Sequence, residues 1–364
     1  MAQGKVSVAT LQTGSGAIAE VERTVLFIGE APKNNGSIQP INAQSDFDAL
    51  FDETDSPLKT QLQAWQRNGD DLVSGYAISH TSDDNVLSLI DKAMEQDVNP
   101  EIIVICKPAT GKAEVESYQA KNLEIQSKYA RYVRTLVAVP GLDGTQTWAD
   151  LITALQPITD GVVAERVAVV PLLIGDELGG VVGRLCKRSV TIADSPMRTK
   201  TGAMSLLTAP VDSAGTPLTN ATTSALDALR FSCVQYYTSL DGTYFGDVNM
   251  LDANGGDFQQ IEIGRVLDMA ARQVHVKATY EIKNRQLNNS PTGIAYGKRK
   301  LSKPLFDMSK SITIGEDRFP GLIDAPTEDS ISLTFLNEKH VHIVLKIKPI
   351  DSPNTITVGI MLDS

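Results

Sequence analysis

The sequence of 364 residues contains few of the residues and motifs that enzymes commonly use for catalysis. Its four histidines, His80, His275, His340 and His342, stand apart from any nucleophile motif such as G-x-S-x-G. The segment after the first apolar run, GEAPKNNG, lacks the G-x-G-x-x-G dinucleotide fingerprint, and DELGGVVG lacks the Lys-Ser/Thr pair of a phosphate-binding loop. We therefore predict no catalytic residue, no cofactor and no metal ion.

Cysteine is equally scarce. Cys106, Cys186 and Cys233 are odd in number, far apart and set among apolar residues, and no C-x-x-C pair is present. Disulfide frameworks and zinc sites use paired cysteines, often at short spacing. The three cysteines are therefore predicted to be buried free thiols.

Long apolar runs are also missing from the sequence. No stretch approaches the roughly 18 apolar residues of a membrane-spanning helix, and the start, MAQGKVSVATLQTG, lacks a secretory signal pattern. The formal net charge of −11 disfavours a general affinity for nucleic acid. We expect folding in a cytoplasm, no direct nucleic-acid binding and no membrane insertion.

Residues 21–215 alternate between predicted strands and helices. The short apolar runs TVLFI (24–28), EIIVIC (101–106) and RVAVVPLLI (166–174) are typical of strands that are buried on both faces, and helical patterns separate them. This order indicates an α/β body with a mostly parallel sheet. The polar, proline-containing stretch 208–224 suggests a domain boundary, which we place after residue 215.

Residues 216–353 have the pattern of an α+β domain. The runs 231–237 and 244–250 flank the turn SLDGT and predict a hairpin, and residues 259–274 predict an amphipathic helix. A second, basic helix is predicted at 295–310, started or kinked by Pro304, and strands at 331–336 and 340–350. His340 and His342 share a strand face, and because no cysteine or carboxylate cluster joins them, a solvated face is favoured over a metal site.

The two ends of the chain, residues 1–20 and 354–364, are predicted to be extended strand arms. The N-terminal arm carries the apolar residues Val6, Val8 and Leu11, and the C-terminal arm places Ile356, Val358 and Ile360 on one face. An unpaired strand with an apolar face pairs either within its own fold or with a neighbour's sheet. The arms therefore suggest polymerisation by strand exchange.

This order of elements resembles the sheath proteins of contractile bacteriophage tails. The most specific part is DGTYFGDVNML followed by DFQQIEIGRVLDMAARQV, in which Gly242, Tyr244, Phe245 and Gly246 stand at a turn before a helix. In that family such a helix faces the inner tube. The resemblance implies that the helix residues Arg265 and Arg272 face the tube or a neighbour.

The resemblance further implies a polymer of hexameric rings, stacked helically around a tail tube protein and linked by the arms. Baseplate and tail terminator proteins would be further partners, and the subunit would be a virion component assembled in the host cytoplasm. Such a sheath contracts from a metastable extended state and drives the tube into a target cell, which requires no nucleotide.

The basic run Lys298, Arg299, Lys300 and Lys303 has two interpretations in a chain of net charge −11. It is either a solvated helix face or a surface that meets acidic groups on the tube or a neighbouring subunit. Two other functional classes also stay open on the sequence alone, namely a cytoplasmic α/β enzyme of unidentified substrate and a nonpolymeric adaptor or binding protein.

Overall fold

The structure, a computed structural model, describes residues 21–81 and 85–354. The first part of the chain alternates strands and helices. The elements are β1 (Thr24–Glu30), β2 (Ile38–Asn42), α1 (Phe47–Phe51), α2 (Pro57–Asn68), β3 (Ser74–His80), α3 (Val86–Glu95), β4 (Ile102–Ile105), α4 (Lys112–Tyr129), β5 (Arg134–Val139), α5 (Trp148–Thr159), β6 (Ala164–Pro171) and α6 (Glu177–Cys186).

The second part begins with the short helix α7 and a hairpin, and then contains the two longest helices of this half. The elements are α7 (Asn220–Ala228), β7 (Val234–Tyr237), β8 (Leu240–Phe245), β9 (Met250–Leu251), α8 (Ile261–Tyr280), α9 (Pro291–Met308), β10 (Ile312–Ile314), β11 (Asp317–Phe319), β12 (Ile331–Asn337) and β13 (His340–Leu345).

A seven-stranded sheet organises the first part, in the order β2-β3-β1-β4-β5-β6-β9. The five central strands are parallel, and β2 and β9 pair antiparallel at the edges. Every residue of β4 and β5 is buried, which explains why β4 and residues 136–139 of β5 are apolar runs without alternation. The predicted mostly parallel sheet with helices is confirmed, as is the α+β character of the C-terminal region.

Local signals set the ends of several helices. The Ser56 hydroxyl accepts a hydrogen bond from the Lys59 backbone amide, and Pro57 occupies the first turn of α2, where its missing N–H costs nothing. Thr147 and Asp150 form a reciprocal capping box at the start of α5. The sequence predicts helices at residues 57–67 and 147–155, and these signals explain why both predicted starts agree with the structure to within one residue.

Two hydrophobic cores divide the molecule. The first includes both faces of the large sheet and extends along the chain as far as Ile261. The second is built from Ile192 and from buried residues between Val266 and Leu333, with partly buried residues as far as Ile347 packed against them. The boundary placed after residue 215 from composition therefore does not coincide with the division between the cores. The reason is that β9 returns to pair with β6, which ties residues 216–251 to the body.

Several elements differ from their predicted bounds; α8, for example, extends to Tyr280 rather than residue 274, and β13 ends at Leu345 rather than residue 350. The sequence predicts a helix at residues 112–133, whereas α4 ends at Tyr129 because Ala130 adopts a left-handed conformation, so the chain can turn toward β5. The hairpin turn lies at residues 238–239, and Gly242 and Tyr244 belong to β8. Helix α9 begins at Pro291, capped by Ser290, and Pro304 lies inside it.

The three cysteines are free and buried, as predicted. Burial raises the pKa of the Cys186 thiol to about 12, so this thiol is un-ionised and unreactive near neutral pH. Among the described residues, no helix combines the length and apolar character needed to cross a bilayer.

Candidate functional site

Helix α8 is joined to the body by buried arginines. Arg265 is 1% exposed and donates hydrogen bonds from Nε and Nη2 to the two carboxylate oxygens of Glu101, at 2.7 and 2.9 Å. A further bond runs from its Nη2 to the Leu185 carbonyl at 3.1 Å. Burial alone would raise the pKa of Glu101, but the adjoining Arg265 guanidinium holds that pKa below its ordinary value. Both groups are therefore charged.

A second ion pair fixes the start of the described chain to the same helix. Arg272 of α8 contacts the Glu22 carboxylate at 2.5 Å, and both side chains are at most 10% exposed. The backbone amide of Arg23 donates to Glu101 at 2.6 Å. Residues 22–23, the root of the N-terminal arm, are thus held by the same charged groups that join α8 to the body.

A third group of charges completes this joint. Asp268 accepts hydrogen bonds from Arg134 at 2.9 Å and from Arg166 at 3.0 and 3.2 Å. Arg134 reaches Asp268 across the bare backbone of Gly264, where an added Cβ would lie 1.9 Å from the Arg134 guanidinium carbon. Buried ion pairs are weak evidence for stability, but these bonds connect α8 directly to the body strands β5 and β6. The joint therefore sets the orientation of α8 on the body.

The root of the C-terminal arm lies near the first turn of α8. Asp247 accepts hydrogen bonds from Ser195 at 2.5 Å, from Gln260 at 3.0 Å and from the side-chain amide of Asn354 at 2.7 Å. Asn354 is the last residue that the structure describes. Asp247 therefore connects the departing chain to the segment that leads into α8.

Glu262, in the first turn of α8, is a buried carboxyl beside this root. It is 6% exposed, and its Oε2 atom has no hydrogen-bond partner. Burial, together with the nearby Asp247 carboxylate, raises the pKa of Glu262 to about 8. Burial also raises the pKa of Asp247. Glu262 is therefore neutral at pH 7, which avoids placing two negative charges side by side.

The raised pKa of Glu262 predicts a pH dependence of stability. Because the folded protein holds a proton that the unfolded chain releases above its ordinary pKa of 4.5, the free energy of unfolding falls as the pH rises from about 4.5 to about 8. Glu262→Gln, which is always neutral, should remove this contribution. Between pH 5 and pH 8.5, the melting temperature of the subunit should then fall less for the variant than for the wild type.

Exposed Glu116→Gln is the control for the amide substitution, and its melting temperatures should follow those of the wild type at both pH values. Parallel curves for wild type and Glu262→Gln would show that Glu262 does not carry the extra proton.

Strands β12 and β13 form a separate two-stranded antiparallel sheet. One face, which includes Leu333 and Ile343, packs with Leu301 and Leu305 of α9 in the second core. His342 and the opposing Thr334 lie on the other, exposed face. The prediction of a solvated histidine face is confirmed. In the described part of the chain no other strand pairs with the outer edge of β12 or β13.

The predicted basic residues lie on the outside of α9. Arg299, Lys300 and Lys303 are exposed, and no carboxylate within the described ranges forms an ion pair with them. Lys298 is half-buried and donates to the Glu328 carbonyl at 3.3 Å. The face is accessible, and its role as a tube- or neighbour-facing surface stays a prediction.

The expected orientation of Arg265 is wrong. Its side chain points into the joint rather than toward a tube or neighbour, because Glu101, 164 residues away, compensates its charge in the interior. Arg272 is likewise engaged within the chain. Sequence reasoning missed Glu101 and Glu22, although an acidic residue directly before the buried run IIVI was a usable signal. Val6, Val8, Leu11, Ile356, Val358 and Ile360 lie outside the described residues.

The place where open α/β sheets usually bind ligands is closely packed in this chain. The crevice would open between the carboxyl ends of β1 and β4, where the strand order reverses. At Gly29 an added Cβ would lie 2.7 Å from Cys106 and 3.1 Å from Leu58. Within residues 21–81 and 85–354, no group of three or more metal-ligating side chains occurs.

Comparison with known proteins gives the family. Residues 3–249 match the DUF2586 N-terminal domain, and residues 257–364 match the DUF2586 C-terminal domain. Over 371 aligned residues the chain is 36% identical to the "Putative tail sheath protein" of Haemophilus phage HP1 (strain HP1c1), covering 98% of this chain and 97% of the relative. The chain belongs to the contractile phage tail sheath family. The break between its two family domains falls just before α8, near the division between the two cores.

Solved sheath structures share the fold at low sequence identity. The PVC sheath complex of an extracellular contractile injection system, in its contracted state, has a TM-score of 0.65 at 11% identity and covers 100% of this chain and 98% of that one. The sheath tail protein of Desulfitobacterium hafniense has a TM-score of 0.58 at 10% identity, with coverages of 94% and 97%. The sheath fold is therefore retained across most of the chain, including both cores.

Proposed function

We propose that the chain polymerises as stacked six-fold rings around a tail tube, and that its terminal arms link the subunits by strand exchange. The observation that carries this proposal is the isolated sheet of β12 and β13, whose two outer edges are unpaired within residues 21–81 and 85–354. Two-stranded sheets are only marginally stable on their own. Strands added from neighbouring subunits would satisfy the open backbone groups.

The arms have the side-chain pattern that such an addition requires. Val6 and Val8 in one arm, and Ile356 and Val358 in the other, alternate with small or polar residues. In an added strand, alternate side chains lie on one face. The apolar set would continue the β12–β13 face that packs on α9, while the polar set would lie beside the exposed histidines.

Helix α8 supports a mechanical role because both arm roots attach near it. Arg272 binds Glu22 at the N-terminal root, and Gln260, just before α8, shares Asp247 with Asn354 at the C-terminal root. Positions 260 and 272 are about 18 Å apart at a rise of 1.5 Å per residue. A pull on either arm is then transmitted to a helix that is fixed to the body.

Contraction is proposed as a change between two packings of such subunits, with the energy stored at assembly. The solved PVC sheath complex in its contracted state is consistent with this proposal. The exposed basic residues of α9 would meet acidic groups on the tube or a neighbour. Baseplate and tail terminator proteins would contact the sheath ends, and the mature location would be the virion after assembly in the host cytoplasm.

Deletion of either arm is expected to abolish polymerisation without unfolding the subunit. Variants lacking residues 1–13 or residues 355–364 keep both cores and both arm roots, including Asn354. They should show the circular dichroism spectrum and melting temperature of the wild-type subunit. In negative-stain electron microscopy they should form no tubes under conditions in which the full chain does.

Point variants test whether the arm acts as a strand with one apolar face, which the deletions alone do not show. Val6→Asp with Val8→Asp should block tube formation, whereas Ser7→Asp, on the opposite strand face, should allow it. The corresponding comparison in the C-terminal arm is Val358→Asp against Thr357→Asp. Tubes of normal length from either arm deletion would be incompatible with strand exchange through that arm.

A further inference from the structure

A cleft of about 630 Å³ lies between the body and the second core, beside the root of the N-terminal arm. Its wall is mainly apolar and combines Tyr129 from the body with Ile192, Met269, Val276, Ile312 and Leu322 from the other side. Ile312 is 44% exposed. The cleft therefore offers an apolar surface to an occupant.

The first described residues of the chain line this cleft. Val21 and Glu22 are lining residues, and Glu22 is fixed there by Arg272. The segment that precedes Val21 is therefore tethered at the wall of the cleft. The five residues that precede Val21 are Gly-Ala-Ile-Ala-Glu, which span at most about 17 Å when extended.

The chemistry of these five residues matches the cleft. Ala17, Ile18 and Ala19 offer a small apolar surface, and Glu20 adds a negative charge next to it. Three arginines of the lining, Arg23, Arg131 and Arg272, outnumber its one carboxylate, Glu22, so the lining is net positive and favours an acidic occupant. Arg131 also pairs with Asp97, which is exposed. A segment tethered at the wall is also present at a high effective concentration, which favours it over a second copy of the chain.

We infer that the cleft is the seat of residues 16–20 of the same chain, with Ile18 against the apolar wall and Glu20 toward Arg131. Seating this segment fixes the direction in which residues 1–15 leave the subunit. The inference concerns the single subunit, so it can fail or succeed independently of polymerisation.

Cross-linking of the monomer tests the inference. Ile18→Cys combined with Val276→Cys, at low micromolar concentration under mild oxidation, should give an intrachain disulfide that peptide mass mapping locates. The native cysteines are buried and do not compete. The control pair is Ile18→Cys with Val163→Cys, because Val163 is 61% exposed and does not line the cleft. This control should give at least tenfold less intrachain product.

Two results would overturn the inference. Equal yields from the two cysteine pairs would show that the segment has no preferred seat, and disulfide-linked dimers through residues 18 and 276 would show that a second copy occupies the cleft. If the double-cysteine protein does not fold, the melting temperatures of two single variants provide a second test. Ile18→Asp should then lower the melting temperature by several degrees relative to Ser15→Asp, and identical values would reject the seat.

Discussion

Replacement of Arg265 by alanine is expected to lower the free energy of unfolding by about 3–5 kcal/mol. The loss arises mainly because Glu101, which is 2% exposed, would keep its place in the interior without a compensating charge. In the variant, the Glu101 carboxylate would still accept the hydrogen bond from the Arg23 backbone amide at the arm root. Equilibrium urea unfolding of the monomeric subunit, followed by circular dichroism, measures this change.

A double variant separates two contributions to stability: the cost of leaving one buried charge without a partner, and the net contribution of the ion pair itself. Arg265→Met with Glu101→Leu replaces both groups by apolar side chains of similar size and should recover most of the lost stability, because neither charge stays buried alone. Lys310→Ala provides the control, since its ion pair with Asp307 is exposed and such pairs contribute little. A single variant as stable as the wild type would mean that the Arg265–Glu101 contact does not form in the subunit.

Replacement of Gly179 by alanine is expected to destabilise the body by about 3 kcal/mol or more, although alanine is the better helix former by about 1 kcal/mol. Helix α6 crosses α2 so closely here that a Cβ at position 179 would lie 1.9 Å from the Gln61 carbonyl oxygen. This neighbour is backbone in the middle of α2 and cannot move without displacing the helix. The steric cost therefore exceeds the gain in helix propensity.

The adjacent Gly180→Ala is a matched control in the same helix. Its added Cβ would meet the ends of Leu206 and Met204, which are flexible and can rotate away. Urea unfolding should place Gly180→Ala within about 1 kcal/mol of the wild type. Equal destabilisation by both variants would mean that the close approach of α6 to α2 is not the cause.

Much of the local structure was predictable because it depends on neighbours in sequence. Apolar runs gave the buried strands, Pro57 and Thr147 marked two helix starts, and Val266, Ala270 and Val274 showed the inward face of α8. The sheath family was also apparent from the order of elements. The glycines of DELGGVVG are typical of a helix that packs closely against another element, but only the structure shows that this element is α2.

The sequence by itself determined the secondary structure order, the parallel sheet, the buried thiols and the apolar pattern of the arms, because these follow from side-chain periodicity and local backbone preferences. Tertiary structure alone decided which charges meet. Glu101 and Arg265 are 164 residues apart, Glu22 and Arg272 are 250 apart, and Asp247 and Asn354 are 107 apart. The sequence around a charged residue is the same whether its side chain faces solvent or pairs with a distant carboxylate. Only the packing of α8 onto the sheet removes water from Arg265 and turns a helix arginine that seemed to face outward into part of the joint.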